Sequence, residues 1–198
     1  MKKLLLIAAC VVGMGMSVKA VTITITPSTT VKWQGTSNAN PDAEFVESVV
    51  GYKGTASFST LYKMDFGKDV AEGPYAGSYS TVFSNPPDDP SDATITWGGA
   101  PAPFIGGSEP LYLVVKDGNN EPYWYIFDLR QLNLSGFDPF YSWNGTDTIM
   151  LDGFWDGSAP GAISHVEIVG VAVPDGGLTA AMLGLGVLGV GYMARRKS

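Results

Sequence analysis

The run Tyr123-Trp124-Tyr125-Ile126-Phe127 is apolar or aromatic at every position. A strand sends successive side chains to opposite faces, so Tyr123, Tyr125 and Phe127 share one side and Trp124 and Ile126 the other. Two apolar sides are the pattern of a central strand with cover on both faces, and a sheet face of rings that stacks on polysaccharide is the alternative. The rest of the chain has the same short period. Val21-Thr22-Ile23-Thr24-Ile25-Thr26 alternates strictly, and Pro27 ends it. Further strands are predicted over 54–63, 75–83, 93–97, 111–116, 123–129, 148–151 and 163–169. Turn residues separate them, the clearest being the hairpin loop Asp117-Gly118-Asn119-Asn120. Short strands at this spacing predict an all-β fold, an antiparallel β-sandwich of jelly-roll-like form. One helix is predicted: Asn40 as its cap, Pro41 in the first turn, Phe45, Val46, Val49 and Val50 as its apolar stripe, and Gly51 as its stop.

The ends divide the chain into three parts. Lys2 and Lys3 precede an apolar stretch from Leu4 to Met16, and Val18-Lys19-Ala20 has the small-residue pattern of a signal-peptide cleavage site. Residues 1–20 are expected to be removed, with cleavage between Ala20 and Val21. The only cysteine, Cys10, lies inside that leader, so the processed chain has no disulfide and no thiol nucleophile. Residues 21–172 have the length of one domain.

At the other end Val173-Pro174-Asp175-Gly176-Gly177 precedes an apolar run from Leu178 to Ala194, and Arg195, Arg196 and Lys197 follow. Seventeen residues as a helix span roughly 25 Å, close to a bilayer core, and the basic end would stay cytoplasmic. Gly184 to Gly189 formally spells a dinucleotide-binding fingerprint. No strand precedes it and no ribose-binding acid follows, so the small residues are better read as a close-packing helix face.

Charge narrows the partners. Residues 21–172 carry six Lys and Arg against eighteen Asp and Glu, a net charge of −12. That field repels nucleic-acid phosphates and anionic lipid.

No catalytic set stands out. His165 is the only histidine and is read as a half-buried, hydrogen-bonding strand residue on a face shared with Ile163, Glu167 and Val169. No G-x-S-x-G is present to serve a triad. Eighteen acids make some facing pair of carboxylates inevitable, which gives a glycoside-acting enzyme little weight. Asp117, Asn119, Asn144, Asp147, Asp152 and Asp156 are loop oxygen donors of the kind calcium takes, without EF-hand spacing. A structural Ca²⁺ is therefore a minor alternative to ordinary turn chemistry, and no other cofactor or metal is expected. Of the aromatics, Phe140, Tyr141 and Trp143, beside Gly136 and Asn144-Gly145, are predicted to be exposed. Tyr141, Trp143 and Trp155 are the candidate sugar-stacking residues.

Val173 to Gly177, Thr179, Leu183-Gly184 and Arg195-Arg196 together resemble a VPDSG-CTERM sorting tail, a relative of the PEP-CTERM tails of exopolysaccharide-making Gram-negative bacteria. Gly176 stands where the name-giving motif has Ser. The resemblance implies processing near the Pro-containing motif by an exosortase, a membrane-embedded transpeptidase-like enzyme. Tyr112 to Asn119, Trp124 to Leu129, Trp143-Asn144-Gly145, Phe154-Trp155 and Ala162 to Val166 resemble the recurring ectodomain of such proteins, which implies a secreted β domain. The expectation is an exported, non-enzymatic protein. It would be anchored in the inner membrane before processing, then held in the envelope or extracellular matrix. Its role would be structural or adhesive around exopolysaccharide. A carbohydrate-binding module is the alternative.

Overall fold

The structure, a computed structural model, describes residues 20–29, 33–84, 89–99, 109–137, 140–155 and 163–171. These form nine strands and one short helix: β1 (Thr22–Ile25), β2 (Trp33–Gly35), α1 (Ala43–Val50), β3 (Ser59–Asp65), β4 (Tyr79–Ser84), β5 (Asp92–Trp97), β6 (Leu111–Asp117), β7 (Trp124–Asp128), β8 (Thr148–Leu151) and β9 (Ile163–Gly170). They make two sheets, one in the order β1-β8-β5-β4 and the other β2-β7-β6-β9-β3. Every pairing is antiparallel except β1 with β8, which runs parallel from Thr22 opposite Thr148 to Ile25 opposite Leu151.

The alternation seen in the sequence sets the packing. Ile23 and Ile25 of β1, Ile149 and Leu151 of β8 and Ile95 of β5 turn to one side of the four-stranded sheet. They join Leu61, Leu113, Val115, Phe127, Val166 and Ile168 of the five-stranded sheet in one buried cluster. A second cluster covers the other face of the larger sheet: Val46 of α1 and Phe58 meet Tyr112, Val114, Trp124, Ile126 and Val169. β6 is buried along its whole length and β7 at four of its five positions. The two-sided cover demanded by residues 123–127 is thus one sheet on one side and α1 on the other. Fully burying each such side chain is worth roughly 1.5–3 kcal/mol.

The helix starts two residues later than its composition suggested. Asp42 is the cap, its Oδ1 accepting the Phe45 N–H at 2.9 Å, and Gly51 closes the helix at φ +68°. β4 begins at Tyr79, because turns bonded Ala76 to Gly73 and Ser78 to Tyr75 occupy the preceding residues. A bulge between Thr60 and Tyr62 in β3 lets both Leu61 and Tyr62 face the core. β2 was not predicted. It is a three-residue edge strand whose Gly35 lies opposite Trp124. The indole lies across that glycine: a Cβ there would sit 2.0 Å from Trp124 Cζ2. Residues 1–19 of the leader, the sorting motif, the apolar span and the basic end lie outside the described residues. Among the described residues no helix is long and apolar enough to cross a membrane.

Candidate functional site

The predicted sugar-stacking residues do not form an exposed platform. Trp143 is fully buried: its Nε1 donates to the Asp147 carbonyl at 2.8 Å, and its ring packs on Tyr79 at 5.9 Å. The reason is local. Leu132 and Tyr141 form a bridge and the Trp143 amide bonds the Leu129 carbonyl, which folds this segment back on the end of β7 and turns the indole inward. Trp155 is also buried, its Nε1 on the Pro122 carbonyl at 2.9 Å and its ring against Tyr125 and Phe154. Tyr141 is half-buried and donates its hydroxyl to the Asp147 carboxylate; burial and that bond both raise its pKa. The exposed rings here are Phe140, as predicted, and Phe137, which stands 4.5 Å from the Tyr141 ring.

Three of the loop residues named as cation donors, Asp117, Asn144 and Asp147, have oxygens engaged in hydrogen bonds. Asp117 accepts from the Asn119 amide and from Asn120 Nδ2, and Asn144 Oδ1 accepts from the Thr146 and Asp147 amides. Asp147 takes the Val21 amide and the Tyr141 hydroxyl. Asp156 lies outside the described residues.

The strongest concentration of perturbed chemistry lies on the outer face of the five-stranded sheet. Register places Asp65 opposite His165 and Lys63 opposite Glu167, while Lys116 flanks His165 on β6. His165 does share a side with Glu167 and Val169, but Ile163 falls into the inter-sheet core. The register shift beside Lys116 separates it from the alternation that the sequence suggested. Glu167 is 3% exposed and receives the Thr60 hydroxyl at 2.5 Å. Its burial lifts its carboxyl to about 7. His165 is 5% exposed, and burial with Lys63 nearby pulls it down to about 4, so its ring is neutral. Its Nδ1 is 3.8 Å from Asp65 and its Nε2 has no hydrogen-bond partner. The buried Lys116 ammonium, its pKa lowered by desolvation, donates to Asn38 and to the Asp117 carbonyl.

A carboxyl raised to about 7 and a neutral imidazole on one strand face are the groups an acid–base pair would need. A cavity of about 560 Å³ is lined by Glu44, Glu47, Ser48, Gly51, Tyr52, Lys53, Ser57 and Phe58, and by none of the cluster. Among the described residues no group of three or more His, Cys, Asp or Glu is placed to hold a metal. The sequence signal for the cluster is visible in β9: two titratable residues two apart in a mostly apolar strand share one face. Their partners Thr60, Lys63, Asp65 and Lys116 needed the strand register. No family model, curated protein or solved structure matches this chain.

Proposed function

We propose that this chain is an exported, non-enzymatic protein of the cell envelope or extracellular matrix, processed at its C-terminus by an exosortase and structural or adhesive in an exopolysaccharide setting. The observation that supports this most is the order of the tail: Val173-Pro174-Asp175-Gly176-Gly177, an apolar run of membrane length, then Arg195-Arg196-Lys197. The leader before Val21 agrees with it, as does a processed chain without cysteine. The domain is read more finely as a β-sandwich of jelly-roll-like form. In support, an early strand lies beside a late one in each sheet, β1 by β8 and β2 by β7, as in a ribbon folded back on itself; the parallel β1–β8 pair departs from that form.

The test follows a C-terminal epitope in a host that carries an exosortase. The wild-type chain should lose the epitope on export, and Pro174→Ala should keep it in the membrane fraction. Retention by the wild type would refute processing.

The second reading, a carbohydrate-binding module, draws on Phe137 and Phe140 exposed beside Tyr141. Binding on a glycan array that is lost in Phe140→Ala would favour it.

A further inference from the structure

The backbone N–H of Val21 donates to Asp147 Oδ1 at 2.7 Å. The neighbouring Val21 carbonyl accepts from the Thr148 amide at 2.9 Å, so both polar groups of this residue are fixed at the start of the parallel β1–β8 pair. Asp147 is 2% exposed and also takes the Tyr141 hydroxyl. Among the described residues no Lys, Arg or His pairs with its carboxylate. A backbone amide needs only a neutral acceptor; a buried carboxylate without a cation is a costly way to provide one. Ala20 is exposed, and Val21 is 46% exposed. The bond between them is therefore at the surface while the nitrogen it contains points at a buried anion.

We infer that Asp147 is the receiving site for the α-ammonium group that cleavage after Ala20 creates on Val21. The inference rests on the export reading above, and specifically on its cleavage site. Hydrolysis of the Ala20–Val21 amide adds water across the bond: the carboxylate leaves with Ala20, and the new amine on Val21 takes up a proton. One of its hydrogens keeps the existing bond to Asp147 Oδ1. The others face the volume vacated by Ala20, where water reaches them. A neutral hydrogen bond becomes a charge-assisted ion pair at a site already formed. Removal of the leader then both releases the domain and tightens the junction between β1 and β8.

The experiment uses the full chain, exported and purified from a processing host. A terminal sequence first gives the start. The α-amine is then labelled with an amine-selective reagent near pH 7 and followed as a function of pH. A start at Val21 with labelling roughly tenfold slower than an unstructured peptide amine supports the site. That corresponds to an amine pKa about one unit above its ordinary value near 7.7–8.0. Asp147→Asn, which keeps one acceptor oxygen for the Val21 nitrogen and removes the charge, should restore the ordinary rate. If that variant does not fold, the wild-type titration alone decides. A start at Val21 with an ordinary amine pKa overturns the inference and leaves the export reading intact. A start at any other residue overturns the cleavage site and the inference with it.

Discussion

Glu167 and His165 sit two residues apart on one face of β9, and burial displaces them in opposite directions, the acid up to about 7 and the imidazole down to about 4. Their effects on stability therefore oppose each other over nearly the same pH range. Between pH 4.5 and 7 the folded chain holds a proton on Glu167 that the unfolded chain has released, so this group makes stability fall as pH rises. Between pH 4 and 6.5 the unfolded chain holds a proton on His165 that the folded chain excludes, so this group makes stability rise with pH. Each displacement spans about 2.5 pH units, which at 1.36 kcal/mol per unit amounts to about 3 kcal/mol. In the wild type the two slopes nearly cancel. Removing one should expose the other. Glu167→Gln, whose amide oxygen can still accept from Thr60, should gain about 3 kcal/mol in stability from pH 4.5 to 6.5. His165→Phe should lose a similar amount from pH 4.5 to 7. Urea denaturation followed by tryptophan fluorescence at half-unit pH intervals reads both. The two variants share every other carboxylate, so the difference between their slopes isolates the pair. Identical pH profiles for the wild type and both variants would refute the burial argument.

Three further outcomes follow from the packing. Gly35→Ala should destabilise by about 1–3 kcal/mol in equilibrium unfolding, because the new Cβ would occupy the place of the Trp124 ring; an unchanged midpoint would mean that the indole does not lie there. Trp143→Ala should cost about 3–5 kcal/mol by the same assay, since it empties a fully buried site and removes the bond to the Asp147 carbonyl. Asp42→Ala should cost about 1 kcal/mol through the lost helix cap, and should also lower the Glu167 pKa, because Asp42 is one of the charges that raises it; a carboxyl titration by NMR checks the second effect.

Much of the fold was legible because it follows from alternation. Ile23, Ile25, Ile149 and Leu151 are buried where period two places them, and Met150 between the last two is exposed. The two-sided burial of β7 was readable from its composition alone. Features that arise between strands were not. The parallel β1–β8 pair, the edge strand β2 and the bulge in β3 depend on register, which no single segment encodes. The aromatic residues show the same limit. Phe140 and Trp143 are three residues apart in one loop, yet the Leu132–Tyr141 bridge leaves the first outside and draws the second into the core. The link between Val21 and Asp147 spans 126 positions, and neither neighbourhood hints at the other.

We propose that this chain is trimmed at both ends on its way to the envelope. An intact-mass measurement of the protein from its native host, resolving both termini, tests it most directly. Trimming at both ends predicts a start at Val21 and an end between Pro174 and Gly177, with or without added mass. A chain that still ends at Ser198 would contradict sorting and leave a plain membrane-anchored domain.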